Sequence, residues 1–350
     1  MENSDTDEKR EHEAIQNSMQ NMSIISSSDS HISSDHHDKQ IREVEQQPHE
    51  ALFLVLAYLP LYELLVMSEV CMALREAVSK DVLPWLNIIV QKPLSSRVSD
   101  EILMKITSKS NGRLTTLALI RCVQITDDGL RRVIQNNPFI DKLLIPGCTS
   151  LTPEGITRAV ETLSQQNHTL KTLHINGIYN ISKHHLETLE SRLKPNPPMH
   201  ENHQQNQKRP FLYHQYRNSP LNKEVDRNID VEICPRCDEV RLVYDCSRAV
   251  CKQIRKASFR ADCRGCDICI PRCVECGGCV ESEDMELAVC FDVLCSDCWL
   301  LLPKCNFCNR PYCKQHTNLQ SSPPGPGSTS GFVCDVCHAK FIRIVYSDDE

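Results

Sequence analysis

Residues 114–130, LTTLALIRCVQITDDGL, decide how the middle of this chain folds, because their pattern returns twice. Leu114-x-x-Leu117-x-Leu119-x-x-Cys122 leads into Ile125-Thr126-Asp127-Asp128-Gly129-Leu130. Twenty-six residues on, Ile140-x-x-Leu143-x-Ile145-x-x-Cys148 leads into Leu151-Thr152-Pro153-Glu154-Gly155-Ile156. A third copy runs from Leu170-x-x-Leu173-x-Ile175-x-x-Ile178 to Ile181, Ser182 and Leu186. A degenerate earlier copy spans Trp85 to Leu103, with Val98-Ser99-Asp100 in the place of Ile125-Thr126-Asp127. Self-similarity at this period predicts stacked units of one short strand and one helix.

Thr126, Thr152 and Ser182 fall at helix N-caps, where a hydroxyl satisfies an orphan backbone N–H. Pro153 follows at the first helical position, where its missing N–H costs nothing. Asp127, Asp128 and Glu154 favour the positive end of the helix dipole. Gly129 and Gly155 are expected to let helix and strand approach closely. The pattern is that of leucine-rich repeats, and it makes Cys122 and Cys148 buried structural residues rather than reactive thiols. Thr116 and Ala118, Lys142 and Leu144, and Thr172 and His174 alternate outward on the strands. They are the expected concave binding face, small and weakly charged.

Upstream, residues 48–78 read PHEALFLVLAYLPLYELLVMSEVCMALREAV. Pro60 ends a first helical run, because proline cannot continue a helix and pushes Leu59 out of helical geometry. Leu52, Val55, Leu56 and Leu59 share one face of that run, and Leu64, Met67, Cys71 and Leu74 one face of the next. Phe53, Leu54 and Leu61 lie off those stripes, so the helices carry more apolar surface than they can cover themselves.

This stretch resembles an F-box, the module that hooks a substrate receptor to the Skp adaptor of a cullin-based ubiquitin ligase. Pro48, Glu50, Tyr58-Leu59-Pro60, Glu63-Leu64-Leu65, Val70-Cys71 and Arg75 carry the likeness. The resemblance implies an adaptor-binding surface of Pro48, Leu52, Val55, Leu56, Leu59, Pro60, Leu64, Val70 and Cys71.

Residues 1–46 are rich in Ser, Asp, Glu, Gln and His, and read as a disordered tail. They hold the whole acidic excess behind the net charge of −7, so the rest is near neutral and argues for neither a nucleic-acid nor an anionic-membrane surface. The opening MENSDTDEKREHE has neither a basic start nor an apolar run, which predicts a reducing compartment, nucleus or cytoplasm. Residues 195–230, rich in Pro, Asn, Gln, His and Lys, read as a linker. Its aromatic patch, Phe211 to Tyr216, is expected to dock on a neighbour that the sequence does not identify.

Of 21 cysteines, 18 lie between Cys234 and Cys337. They come as Cys234/Cys237, Cys246/Cys251, Cys263/Cys266/Cys269, Cys273/Cys276/Cys279, Cys290, Cys295/Cys298, Cys305/Cys308, Cys313 with His316, and Cys334/Cys337. A Cys-x2-Cys turn brings two thiolates within reach of one tetrahedral Zn2+, and two such pairs close a structural site. Each structural zinc contributes on the order of 10–16 kcal/mol of apparent folding free energy in small peptides, against about 2–4 kcal/mol for a disulfide. These nineteen ligands, with His338 as a twentieth, predict four or five closed zinc sites, and spacing does not say which pairs join. Closed sites leave no position for water, so no hydrolytic chemistry is expected.

Cys276 to Cys337 resembles the cross-braced zinc folds, which include RING, PHD and FYVE types. It departs from the RING pattern in lacking a Cys-x-His pair and in the six residues between Cys298 and Cys305. Lys252, Arg255, Lys256 and Arg260 form a basic stripe read as a solvated face.

The succession is a tail (1–46), a helical F-box (47–83), a short α/β leucine-rich-repeat solenoid (84–194), a linker (195–230) and a zinc-stabilised cysteine-rich module (231–345). Together they resemble plant Skp-interacting F-box proteins. The resemblance implies a non-catalytic substrate receptor of an SCF (Skp–cullin–F-box) ubiquitin ligase, bound to the adaptor and through it to cullin, with an unidentified protein target. Two alternatives stay open, a RING-like ligase acting directly and a zinc-dependent nucleic-acid or chromatin reader. No residue supplies a nucleophile, a phosphate loop or an acid–base pair.

Overall fold

The structure, a computed structural model, describes residues 50–166, 170–193, 210–218, 227–251, 253, 263–321 and 332–340. The expected tail, Pro48, the basic stripe and most of the expected linker lie outside the described residues. The chain divides into two compact units, Met1–Asn196 and Pro197–Glu350.

The first unit opens with three short helices, α1 (Glu50–Val55), α2 (Leu61–Val70) and α3 (Met72–Lys80). Leu59 is extended (ψ 141°) and so is Pro60 (ψ 149°), the cap residue just ahead of α2, so the break expected at Leu59-Pro60 is present. A second break has no counterpart in the expected pattern. Cys71 is extended (φ −156°, ψ 165°), so Leu64 and Leu74 lie on different helices rather than on one stripe. Arg75 bridges this break, donating from Nε to the Ser68 carbonyl (3.1 Å) and pairing with Glu69 (3.1 Å). Leu56, Leu61, Leu64, Leu65, Leu74 and Val78 are buried. The buried Trp85 indole donates to the Val78 carbonyl (2.8 Å), tying α3 to the chain just ahead of the first strand.

Four strands form a parallel sheet in sequence order, β1 (Asn87–Val90), β2 (Thr116–Leu119), β3 (Lys142–Leu144) and β4 (Thr172–His174). Each is followed by a helix, α4 (Asp100–Ser108), α5 (Asp127–Asn136), α6 (Pro153–Gln165) and α7 (Lys183–Arg192), and neighbouring helices pack on one another. The register follows the repeat, with Leu117 beside Leu143 and Leu143 beside Leu173. Those leucines and Leu119, Ile145 and Ile175 are buried, as are Cys122 and Cys148. The Cys148 thiol donates to the Leu119 carbonyl (3.1 Å) of the preceding unit.

Thr126, Thr152 and Ser182 cap their helices as expected, accepting from the backbone N–H of Gly129, Gly155 and His185. Gly129 and Gly155 serve a different neighbour from the expected strand. A Cβ on Gly129 would fall 2.0 Å from the Asp100 carboxylate, and one on Gly155 2.0 Å from that of Asp127. Each glycine makes room for an acid from the preceding helix.

Among the described residues no helix is long and apolar enough to cross a membrane. The described residues of the second unit have little regular structure, with α8 (Tyr213–Asn218), α9 (Ser296–Leu301) and the two-stranded pairs β5 (Glu232–Ile233)/β6 (Val240–Arg241), β7 (Met285–Leu287)/β8 (Val293–Cys295) and β9 (Gln320–Ser321)/β10 (Val333–Cys334). Its small cores are built around cysteines.

Candidate metal centres

The Cys-x2-Cys turns are made by one repeated local device. After Cys237, Cys276 and Cys308 the chain takes a positive φ, at Asp238 (63°), Gly277 (71°) and Asn309 (55°), a conformation that Gly, Asn and Asp tolerate best. The N–H of that residue donates to the carbonyl of the first cysteine, Asp238 to Cys234 (2.9 Å), Gly277 to Cys273 (2.8 Å) and Asn309 to Cys305 (3.0 Å). The turn closes and the two thiols of each pair converge.

Among the described residues, five groups of four side chains that could hold a metal ion result. They are Cys234, Cys237, Cys266 and Cys269; Cys246, Cys251, Cys263 and Cys279; Cys273, Cys276, Cys295 and Cys298; Cys305, Cys308, Cys334 and Cys337; and Cys290, Asp292, Cys313 and His316. All nineteen residues singled out in the sequence take part. The twentieth is Asp292; His338 is exposed and joins no group. Two apparent triplets are split. Cys263 joins Cys246 and Cys251 while Cys266 and Cys269 turn to the first pair, and Cys279 leaves Cys273 and Cys276 to complete the second group.

Distances within the groups fit a metal rather than disulfides. Cys237–Cys266 lie 3.9 Å apart at sulfur, and Cys251–Cys279, Cys276–Cys295 and Cys308–Cys334 each 3.8 Å. A tetrahedral ion with metal–sulfur bonds of about 2.3 Å places its ligands about 3.8 Å apart. A disulfide would need about 2.05 Å, and every cysteine is a free thiol. Backbone N–H groups also aim at sulfur, from Cys266 to Cys234 (3.4 Å), Cys279 to Cys246 (3.4 Å) and Cys334 to Cys305 (3.3 Å). Such donors favour thiolate.

One thiol in each all-cysteine group is accordingly acidic. A hydrogen bond from Cys263 brings Cys246 down to about 4, and one from Cys276 brings Cys273 down to about 5. Burial works upward on Cys234 and Cys305, but the surrounding N–H groups outweigh it and bring both to about 6. The hydrogen bond to Cys266 pushes Cys269 up to about 12, and burial pushes Cys298 and Cys334 to about 12. Four thiolates cannot collect in so small a space without a cation.

The groups interlock along the chain. Their ligands span residues 234–269, 246–279, 273–298, 290–316 and 305–337, so each begins before its predecessor is complete. Buried Arg272 fastens the first half, donating to the carbonyls of Tyr244 and Cys263 (both 2.8 Å). Glu275 fastens the second, accepting from the Lys314 N–H (2.7 Å). The aromatic patch docks here too: Phe211 stacks on Tyr244 (5.2 Å between centroids) and Tyr213 meets the same ring edge-on (5.1 Å).

The other residues singled out in the sequence fall differently. Of the expected adaptor surface, Leu56 and Leu64 are buried and serve the core, Leu59 and Cys71 are partly covered, and Leu52, Val55, Pro60 and Val70 are exposed. Leu54, Tyr58, Val66 and Met72 add exposed apolar surface. On the expected binding face of the sheet, Ala118, Leu144 and His174 are buried, so only Thr116, Lys142 and Thr172 reach solvent, each in part.

Residues 230–307 match the family model described as the At3g27290 F-box protein C-terminal domain. The match takes in the first three clusters and stops between Cys305 and Cys308. Over 297 residues the chain is 41% identical to F-box protein SKIP28 of Arabidopsis thaliana, covering 83% of this chain and 90% of that protein. F-box protein SKIP14 of the same plant is 32% identical over 263 residues, 75% of this chain and 56% of that one. F-box protein At3g27290, also from Arabidopsis thaliana, is 34% identical over 255 residues, 72% of this chain and 65% of that one. On this similarity, the chain belongs to the family of plant F-box proteins represented by SKIP28, SKIP14 and At3g27290.

Proposed function

We propose that this protein is the substrate-receptor subunit of an SCF ubiquitin ligase. In this reading α1 to α3 are the F-box that binds the Skp adaptor, and through it cullin. The sheet and its helices are a short leucine-rich-repeat solenoid, and the cysteine clusters are structural zinc sites. The target binds the solenoid, the cysteine-rich unit or both, and catalysis belongs to the partners.

The carrying observation is the apolar surface left uncovered on α1 to α3. Tyr58, in the turn between α1 and α2, is 87% exposed and Met72 83%, with Leu52, Leu54, Val55, Val66 and Val70 also open to solvent, while Leu61, Leu64 and Leu65 of α2 and Leu74 and Val78 of α3 are buried. Exposed apolar surface on this scale marks an interaction site. Zinc bound by four thiolates would supply rigidity and charge neutralisation, with no open coordination position.

The test is adaptor binding by purified full-length protein, wild type against Leu52→Asp with Val70→Asp. Both positions are exposed, so the fold should survive. The variant is expected to lose at least about tenfold in affinity, since interface hot spots cost about 2 kcal/mol or more. Unchanged binding would sink the F-box reading.

A second reading, that the cysteine-rich unit engages a ubiquitin-conjugating enzyme directly, is favoured by one observation. Cys273/Cys276 and Cys295/Cys298 alternate with Cys290/Asp292 and Cys313/His316, the alternation of a RING cross-brace, and Cys290-x-Asp292 stands where Cys-x-His was missing. Autoubiquitination by the full chain without adaptor or cullin, lost in Cys313→Ser, would support it.

A further inference from the structure

Four of the clusters hold thiols alone, and the fifth does not. Its carboxylate, Asp292, is only 7% exposed, follows Phe291 in a left-handed turn (φ 62°) and is used on both sides. Oδ2 faces the Cys290 thiol (3.3 Å), the Cys313 thiol (3.1 Å) and His316 Nδ1 (3.2 Å). Cys313 and His316 are themselves 3.1 Å apart. A tetrahedron of nitrogen, oxygen and sulfur ligands has edges of about 3.3 to 3.8 Å, close to these separations.

Oδ1 pairs with the guanidinium of Arg217. Arg217 comes from α8, seventy-five residues earlier, and its Nη1 also donates to the Tyr213 hydroxyl (3.1 Å). The segment is anchored at its start, where the Phe211 N–H donates to Asp245 Oδ2 (2.9 Å) and the Phe211 ring stacks on Tyr244. A buried carboxylate beside two ionisable thiols is costly without positive charge on each side. Arg217 provides it at Oδ1, and a divalent cation would provide it at Oδ2.

We propose that Cys290, Asp292, Cys313 and His316 form a fifth metal site of mixed donors, ligated by Asp292 through Oδ2, with Arg217 as the positioning residue that aims that carboxylate. The 211–218 segment is then a strap whose docking and the loading of this site reinforce each other. The inference rests on the metal reading of the cysteine clusters and is independent of the adaptor reading. With two thiolates instead of four, this site binds a soft-tolerant ion such as Zn2+ or Co2+ less firmly than its neighbours, and it gives up its metal first.

Metal content and chelator-driven release, measured on purified full-length wild type, Asp292→Ala, Arg217→Ala and Arg217→Lys, test this. Wild type is expected to carry five ions, one released ahead of the rest, and Asp292→Ala four. Arg217→Ala should carry the fifth about 10–100-fold more weakly, the usual loss on removing an outer-shell partner, with the other four unchanged and partial recovery in Arg217→Lys. With Co2+ as the probe, the visible spectrum of the fifth site should shift in Arg217→Ala even at saturation, which a merely structural arginine would not cause. Equal metal content in wild type and Asp292→Ala overturns the site. A fifth ion indifferent to Arg217→Ala overturns the positioning role. No metal in wild type at all would overturn the zinc reading together with this proposal.

Discussion

The Asp127 carboxylate grips Thr152, the cap of the next helix, with both oxygens: Oδ1 accepts the Thr152 N–H (2.9 Å) and Oδ2 its hydroxyl (2.6 Å). One unit earlier Asp100 holds Thr126 in the same way, at 2.9 and 2.6 Å. A run of acids thus staples successive helix starts. It stops where Pro153 occupies the position of Asp127, and there Ser182 is capped instead by His185, whose Nε2 lies 3.4 Å from Glu154. Asp127→Ala removes two hydrogen bonds and is expected to cost about 1–3 kcal/mol. Denaturant unfolding measures it.

Gly155 gives the matching steric prediction. Gly155→Ala places a methyl against the Asp127 carboxylate and should destabilise by more than the roughly 0.5–1 kcal/mol that alanine normally gains over glycine in a helix. In the Asp127→Ala background the penalty should largely vanish. Strict additivity of the two changes in a double-mutant cycle would show that the two side chains do not compete for space.

Buried and exposed apolar residues of α1 to α3 should separate stability from adaptor binding. Leu64→Ala empties a buried position and is expected to cost about 2–5 kcal/mol. Val70→Ala, on the surface, should stay within about 0.5 kcal/mol. Thermal melts of both variants check the contrast.

Burial pushes His174 down from 6.5 to about 4. The unfolded chain therefore takes up the proton first. The stability due to the neutral ring is complete above pH 6.5, falls as pH drops from 6.5 to 4 and levels off below. The full span corresponds to about 3 kcal/mol. His174→Leu should flatten this part of the acid-denaturation curve, and the difference between the two proteins isolates it from acid release of metal.

Loading the all-cysteine clusters should expel protons. In each, one thiol is already acidic, such as Cys246 at about 4, while others such as Cys298 are held near 12. About three protons per cluster are expected to leave at neutral pH as thiols become thiolates. Calorimetry in buffers of different ionisation enthalpy counts them. Because protons and metal compete for the same sulfurs, affinity must fall as pH falls.

Much of this is readable in the sequence where chemistry is local. The strands, the caps at Thr126, Thr152 and Ser182, and the convergence of Cys-x2-Cys pairs all depend on residues a few positions apart. What cannot be read depends on chain crossings. Nothing in Cys263-x2-Cys266-x2-Cys269 says that Cys263 faces one group and its two companions another. Asp292 escapes a sequence reading because one carboxylate among many carries no periodic signal, although Cys290-x-Asp292 shortly before Cys295 is a trace of it. Asp127 shows in the sequence only as a dipole partner of its own helix, since its second role, like that of Asp100, lies one repeat away.

The overlap of the five clusters bears on how the cysteine-rich unit is made. Emerging from a ribosome, its ligand groups would be completed in the order 269, 279, 298, 316 and 337, and at every moment before the last at least one group would be half built. No cut between residues 234 and 337 leaves both fragments whole. A premature stop or a misplaced splice junction in that stretch would strand reactive thiols on an unfinished chain, a state that cellular quality control can recognise and remove.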